Sequence, residues 1–158
     1  MAVAERVPGP SLLFELFAAS QRVRSLLGDA MADAGLTPDE YAVYSVLVDR
    51  GPTTPSQLAS AVGMPPTTMT HYVRAMLDRR HVQRRPHPDD GRSVLLALTR
   101  SGRTAHTRAA AAFDEANVRF LAELPQSDRH VRSVLQSVNR AAEHASAALA
   151  RDTLRSAG

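Results

Sequence analysis

The sequence predicts a mainly α-helical fold in which six helices are interrupted by a short β-hairpin. Through most of the chain, apolar residues recur at the three- and four-residue spacing of amphipathic helices. Thr37 and Thr54, each followed by proline, are typical helix starts. Residues 94–98 instead alternate in the manner of a strand.

The first helix is predicted from about Ser11 to Ala34, with Gly35 ending it. Its apolar positions are Leu13, Leu16, Phe17, Val23, Leu27, Ala30 and Met31. The second helix begins at a capping box formed by Thr37 and Glu40 and ends near Gly51. We expect its inward side to carry Val43, Val46 and Leu47.

A tight turn joins the third and fourth predicted helices. The third helix follows Thr54, and Gly63 permits the turn after it. The fourth helix opens at Pro65-Pro66. Its inward residues, at helical spacing, are Met69, Val73 and Met76.

The hairpin and the last two helices complete the prediction. An extended segment begins at Val82, residues 86–91 form a loop because they hold two prolines and Asp-Gly, and a strand returns over 94–98. Thr99 is expected to cap a fifth helix that runs to about Leu124. The sixth is predicted from about Asp128 to Arg151. Its expected buried stripe is Val131, Val134, Leu135, Val138, Ala142, Ala145 and Leu149.

Positive charge is concentrated in the middle of the chain. Residues 50–108 hold ten arginines and three acids, a net charge of +7, whereas the remainder holds nine arginines and thirteen acids, a net charge of −4. Clustered charge of this kind indicates a surface that binds a polyanion. All nineteen basic residues are arginine, whose planar guanidinium suits bidentate contacts to phosphates and base edges.

The composition limits the other classes of function. The absence of cysteine excludes disulfides, thiolate metal sites and cysteine nucleophiles. The sequence has neither an apolar run of membrane-spanning length nor a secretory signal, so we expect a cytoplasmic protein. It also lacks the common motifs of hydrolases, phosphate-binding loops and zinc enzymes. We therefore expect no catalysis and no cofactor.

The fourth helix has the features of a helix that reads DNA. Two helices joined by a glycine turn place the second in a major groove. Pro65 and Pro66 supply no polar cap, so the first N–H groups are free to face a phosphate. The predicted contacts on its polar side are Thr67, Thr68, Thr70, His71 and Arg74. The simpler alternative is the solvated face of an ordinary surface helix.

The hairpin loop is also basic. Arg84, Arg85, His87 and Arg92 surround its turn, and such a tip suits the narrow minor groove. Asp90 lies among them, and we interpret it as a residue that pairs with a neighbouring arginine and stabilises the loop. The simpler alternative is a solvated turn.

In these segments the chain resembles MarR-type winged-helix regulators. The resemblance is carried by residues 84–92, followed by Leu98-Thr99 and Gly102, and by Gln57-Leu58-Ala59 and Thr68-Met69-Thr70. One departure is Arg80-His81, where the family usually has Gly-Leu after the recognition helix. Either Arg80 adopts a left-handed conformation or the helix continues past it.

The resemblance implies an α+β winged helix with six helices and a two- to three-stranded wing. It places a DNA-binding lobe at residues 36–99 and a helical dimerisation region at residues 1–35 and 100–158. It further implies a homodimer that represses transcription at a palindromic promoter site and responds to a small aromatic or phenolic effector. Candidate residues for an effector cleft are Phe17, Arg24, Tyr41, Tyr44 and Phe113.

Two alternatives within this fold stay open. Six histidines from separate segments permit a metal-responsive regulator, although none pair at helical spacing. A protein-interaction module that has lost DNA binding is the second alternative, and the concentrated arginine argues against it. Whether the regulator represses or activates depends on where its DNA site lies.

Overall fold

A computed structural model describes residues 9–156 of the chain. It contains six helices and two strands in the predicted order. Their bounds are α1 (Leu12–Ala30), α2 (Pro38–Arg50), α3 (Pro55–Val62), α4 (Pro66–Asp78), β1 (Val82–Pro86), β2 (Val94–Leu98), α5 (Arg100–Glu123) and α6 (Asp128–Ser156). The mainly helical fold with a two-stranded wing is therefore confirmed. No helix within residues 9–156 combines the length and the apolar composition that a membrane span requires.

The chain divides into two compact units, one ending at Ala116 and the other beginning at Asn117. This division concerns compactness. The division into a DNA-binding lobe and a dimerisation region concerns function and stays a prediction.

The first helix is shorter than predicted. Ser11 caps it, since its hydroxyl accepts a hydrogen bond from the N–H of Phe14 at 3.3 Å. The helix ends at Ala30 rather than Ala34, and the N–H of Met31 donates back to the carbonyl of Leu27. Met31 itself is buried, so the chain turns into the core three residues before the predicted end.

The predicted capping box at Thr37 is present, and the predicted helix start at Thr54 forms a second one. The N–H of Thr37 donates to the Glu40 carboxylate at 3.0 Å, and the N–H of Glu40 donates to the Thr37 hydroxyl at 3.2 Å. Thr54 and Gln57 make the equivalent pair of bonds at 3.1 and 3.3 Å. Each box satisfies two N–H groups that a helix start otherwise leaves without partners.

The glycine turn before α4 is also as predicted. Gly63 lies in the left-handed region with φ of +67°, which residues with a side chain rarely adopt. Met69, Val73 and Met76 are buried on the inner side of α4. The turn and the buried stripe together fix which side of α4 faces outward.

The wing is a two-stranded antiparallel sheet. Its register runs from Val82 opposite Leu98 to Pro86 opposite Val94. Thr53 extends the sheet by one bridge, in which its N–H donates to the carbonyl of Leu96 at 3.1 Å and its carbonyl accepts from the N–H of Leu96 at 2.9 Å. The wing is thereby attached to the segment between α2 and α3.

The core lies between α2, α3, α4, β2 and the first half of α5. Its fully buried large side chains are Tyr44, Met31, Leu58, Met69, Met76, Leu96 and Val43. Tyr44 was not among the predicted core residues of α2, although its neighbours Val43 and Leu47 were, and both of these are buried. Its hydroxyl hydrogen bonds Nδ1 of His81 at 3.0 Å, so the buried phenol has a polar partner.

Arg80, His81 and the first turn of α5 form a close junction. Arg80 has φ of +57°, so the left-handed alternative is confirmed and α4 ends before it. The N–H of Thr99 donates to the carbonyl of His81 at 2.9 Å, and the Thr99 hydroxyl donates to the carbonyl of Arg80 at 2.8 Å. Gly102 lies against the His81 carbonyl, where a Cβ would overlap the carbonyl oxygen and would lie 2.9 Å from Cδ2 of Leu98.

The terminal helices keep apolar surface exposed. The predicted burial of α6 is wrong for the single chain: none of its described side chains is buried, and Val134, Leu135 and Leu149 are 48%, 47% and 69% exposed. On α1, Leu13 and Phe17 are 77% and 61% exposed. An apolar stripe is buried only where a second surface covers it.

We expect Gly102→Ala to destabilise the fold. The added methyl group must displace the His81 carbonyl, and overpacking of this kind costs about 1–3 kcal/mol. Urea unfolding followed by circular dichroism measures the loss. Gly28→Ala is the matched control, because a Cβ on this helical glycine meets no described atom within 4 Å. Equal stability of the two variants would contradict the proposed role of the junction.

Candidate nucleic-acid interface

The outward side of α4 is polar and exposed, as predicted. Thr67, Thr68, Thr70, His71 and Arg74 are all exposed. The hydroxyl of Thr70 donates to the carbonyl of Pro66 at 2.9 Å. The hydroxyl hydrogen of Thr70 is therefore used within the helix, which leaves its methyl group and oxygen lone pairs for other contacts.

The first turn of α4 has free backbone donors. Pro65 precedes the helix, and no described side chain caps it. Pro66 has no N–H, so the first available donors belong to Thr67 and Thr68. Backbone N–H groups at the positive end of a helix form a site for a phosphate.

Two acids at the start of α2 hold α4. The Tyr72 hydroxyl donates to Oδ2 of Asp39 at 3.1 Å. Arg79, which follows α4 directly, forms an ion pair with Glu40. Tyr72 and Arg79 are seven residues apart and thus lie on the same side of α4. These contacts set the direction in which α4 presents its outward side.

The Glu40–Arg79 ion pair lowers the pKa of the carboxyl group and raises that of the guanidinium. Burial alone would raise the pKa of Glu40, but hydrogen bonds from Arg79 and Thr37 outweigh it and hold the pKa below its usual value. The hydrogen bond to Glu40 raises the pKa of Arg79. Both groups are therefore charged at neutral pH.

Arg24 belongs to the same arrangement. Its Nη1 donates to Oδ2 of Asp39 at 2.6 Å, so one carboxylate oxygen joins α1 to α4 through Arg24 and Tyr72. Sequence reasoning placed Arg24 in an effector cleft and did not single out Asp39, Tyr72 or Arg79. The seven-residue spacing of Tyr72 and Arg79 was the available signal.

The arginines of the wing lie on two sides of its sheet. Arg84 and Arg85 are consecutive in β1, and consecutive strand residues point to opposite faces. Arg85 lines a cavity of about 260 Å³ together with Val48, Pro52 and Arg103. Arg84 therefore lies on the opposite face of the wing.

The tip of the wing is organised by short-range hydrogen bonds. Nδ1 of His87 accepts from the N–H of Asp89 at 3.2 Å. Oδ1 of Asp90 accepts from the N–H of Arg92 at 3.0 Å, and the carbonyl of Asp90 accepts from the N–H of Ser93, also at 3.0 Å. Asp90 thus shapes the loop, but through the backbone of Arg92. Our expectation of a pair with a guanidinium needs that correction. Arg92 remains exposed at the tip.

The five predicted effector residues do not form one cluster. The ring of Tyr41 lies 4.8 Å from that of Phe113 and stacks on His106 at 5.0 Å, measured between ring centroids. Tyr44 is buried in the core, and Phe17 is exposed on α1. An effector role for Phe17, Arg24, Tyr41, Tyr44 and Phe113 stays a prediction. Within residues 9–156, no three histidine or acidic side chains converge as metal ligands.

Known proteins are similar to this chain both in the segment from α2 to the wing and in the fold as a whole. Residues 36–94 match the MarR family. An uncharacterized HTH-type transcriptional regulator of Mycobacterium bovis is 33% identical over 92 residues, which cover 58% of this chain and 64% of the relative. The chain thus spans just under two thirds of the length of that relative.

Two solved structures extend the match along the chain. A probable transcriptional regulator from Pseudomonas aeruginosa is 31% identical with a TM-score of 0.68, covering 82% of this chain and 96% of that one. The PcaV transcriptional regulator from Streptomyces coelicolor, solved with its natural ligand, is 26% identical with a TM-score of 0.69, covering 92% and 99%. Because α2, α3, α4 and β1 lie in the matched segment, and a transcriptional regulator that is 31% identical is covered over 96% of its length, the chain belongs to the MarR family of transcriptional regulators.

Proposed function

We propose that this chain acts as a homodimer that binds promoter DNA at a palindromic site and represses transcription until a small effector releases it. One observation carries the DNA-binding part: the exposed polar side of α4 and the exposed arginines of the wing belong to the same charged lobe. A regulator of this kind works where the DNA is, in the cytoplasm of a bacterium. Its relatives are transcriptional regulators, and we propose no catalytic activity.

The recognition helix α4 is proposed to read the major groove. His71 and Arg74 lie one turn into the helix, where base edges are within reach, and arginine reads guanine through two hydrogen bonds. Thr67 and Thr68 offer backbone N–H groups to a phosphate. The methyl group of Thr70 suits contact with a thymine methyl.

The wing is proposed to enter the minor groove. Arg92 at the tip and Arg84 on one face supply positive charge to a groove whose negative potential rises as it narrows. Asp90 and His87 use their side chains to shape the loop that carries Arg92. The direct contact role of His87 is therefore secondary to its role in the turn.

A second copy of the chain is the proposed cover for the apolar residues of α1 and α6. Single surface hydrophobics are ordinary, but a contiguous exposed stripe marks an interaction surface. The exposed large apolar residues of α1 are Leu12, Leu13, Phe14, Phe17, Val23 and Leu26. A dimer also supplies two recognition helices, which must lie about 34 Å apart to read successive major grooves.

The proposed effector is a small aromatic or phenolic compound. PcaV, which shares 26% of its residues with this chain, was solved with its natural ligand. Tyr41, His106 and Phe113 form a half-buried aromatic cluster between α2 and α5 that suits a flat ring. Because α5 begins directly after the wing, an effector that prefers another position of α5 would change the spacing of the two recognition helices in the dimer.

We expect Arg74→Ala and Arg92→Ala to differ in their effect on specificity. Arg74→Ala should weaken binding to a duplex selected from a random pool by about tenfold, because a base contact contributes roughly 1–3 kcal/mol, and should change binding to a scrambled duplex little. Arg92→Ala should weaken both duplexes equally and reduce the log–log salt slope by about 0.9. Fluorescence anisotropy at several salt concentrations measures both effects.

Arg151→Ala is the control, because this exposed arginine of α6 lies outside the DNA-binding lobe. If Arg74→Ala reduces affinity for both duplexes by the same factor, our assignment of Arg74 to base reading is wrong.

We also expect Asp90→Ala to weaken DNA binding about fivefold, although it removes a negative charge from the wing. The lost hydrogen bond to the Arg92 N–H contributes about 1 kcal/mol to the shape of the loop. Asp89→Ala is the matched control: it removes the same charge but leaves that bond in place, and should bind DNA as well as or better than the unmodified chain. Tighter binding by Asp90→Ala would contradict the structural role.

A further inference from the structure

A basic cavity lies at the junction between the wing and α5. It has a volume of about 550 Å³ and is lined by His81, Arg100, Ser101, Thr104, Ala105 and Arg108. Five of these six residues offer polar or charged groups, and none is acidic. None of them was among the residues that the sequence singled out for DNA or an effector.

Arg108 is held in place by the segment between α1 and α2. Its Nε donates to the carbonyl of Ala34 at 3.2 Å. Its Nη2 lies only 2.6 Å from the point where a Cβ on Gly35 would be, so the guanidinium packs directly over that glycine. The Nη groups keep hydrogens for another acceptor, and no described carboxylate forms a salt bridge with Arg108.

His81 offers a neutral donor on another side of the cavity. Burial and the nearby Arg79 lower its pKa, so the ring is uncharged at neutral pH. Burial raises the pKa of Tyr44 to about 12, so the phenol keeps its proton. Nδ1 of His81 is the one hydrogen-bond partner of the Tyr44 hydroxyl among the described residues, so it is the available acceptor for the phenol proton; in that tautomer the ring carries its own proton on Nε2.

We propose that this cavity binds a small oxyanion, a carboxylate or a phosphate, between Arg100, Arg108 and His81. The two guanidinium groups supply charge-assisted hydrogen bonds to the anion oxygens, and the imidazole N–H supplies a neutral one. The Ser101 hydroxyl already donates to the carbonyl of Arg80, and the Thr104 hydroxyl donates to that of Arg100. These two side chains therefore line the cavity without adding a free hydroxyl donor. Ala105 is the one apolar lining residue, which favours a compact polar ligand over an aromatic one.

The site is separate from the aromatic cluster of Tyr41, His106 and Phe113. His106 and Phe113 share one side of α5, seven residues apart, whereas Ser101, Thr104 and Arg108 follow a different stripe of the same helix. Binding of an anion here does not require that the chain bind DNA. The inference therefore stands or fails independently of the proposed function.

The test is an NMR titration of the histidine ring signals of the purified full chain with inorganic phosphate and, separately, with citrate. Chloride replaces the anion to keep ionic strength constant, and pH is fixed. The spectrum of His81→Gln assigns the His81 signal among the six histidines. We expect a saturable shift of His81 with at least one probe. Saturation with phosphate alone identifies a phosphate site, and saturation with citrate alone identifies a carboxylate site.

Two matched pairs of variants locate the anion. Arg100→Gln should weaken binding about tenfold through loss of a charged donor, while Arg50→Gln, an exposed arginine at the end of α2, should not. Gly35→Ala should weaken it without any change of charge, because the new Cβ displaces Arg108. Gly51→Ala also places a side chain at a positive φ, +74°, but its Cβ meets no described atom within 4 Å, and this variant should bind normally. Circular dichroism establishes that each variant is folded.

Three results would overturn the proposal. The first is a shift of His81 that stays linear and does not saturate with either probe. The second is a loss of binding in Arg50→Gln as large as that in Arg100→Gln. In the third, neither probe binds, while a duplex shifts the His81 signal and Arg100→Gln weakens binding to that duplex. The cavity arginines would then belong to the DNA-binding surface.

Discussion

The arrangement of α4, the wing and α5 depends on the close contact between the carbonyls of Arg80 and His81 and the first turn of α5. Thr99 donates to both carbonyls, Ser101 donates to that of Arg80, and Gly102 leaves the space that the His81 carbonyl occupies. Helix α4 ends just before Arg80 and His81 in the chain, and strand β1 of the wing begins just after them. A displacement here would move α4, the wing and α5 relative to one another.

The two acids at the start of α2 complete the positioning of α4. Asp39 holds Tyr72 from the middle of the helix, and Glu40 holds Arg79 just beyond its end. Asp39 also accepts from Arg24 of α1, so a helix with an exposed apolar stripe is joined to the helix that is proposed to read DNA. A displacement of α1 would therefore act on α4 through Arg24, Asp39 and Tyr72, and a displacement of α4 would act on α1 through the same contacts.

Much of the fold could be predicted from local sequence, because its signals are local. The capping boxes at Thr37 and Thr54, the turn at Gly63, the buried stripe of α4 and the wing strands all depend on residues within a few positions of one another. The end of α1 was wrong by four residues because Met31 turns into a core built by other helices. The predicted burial along α6 was wrong because an apolar stripe predicts a covering surface but does not indicate whether the same chain supplies it.

The site was predicted in outline and not in its connections. The exposed residues of α4 and the position of Asp90 follow from periodicity and turn chemistry. The partners of Arg24, Arg79 and Arg108 lie 15, 39 and 74 residues away, respectively. Pairing over such distances depends on how the helices pack, which no local pattern contains. The Arg80-His81 departure pointed to the junction, but only the structure shows what the left-handed residue allows.

The most direct test of the account is the mass of the protein–DNA complex, measured by sedimentation on a duplex selected from a random pool. We expect two chains per duplex and two inverted half-sites about one helical turn apart. Inserting about five base pairs between the half-sites turns one of them to the opposite side of the duplex and should abolish the two-chain complex. One chain per duplex, or binding that is indifferent to the insertion, would contradict the account.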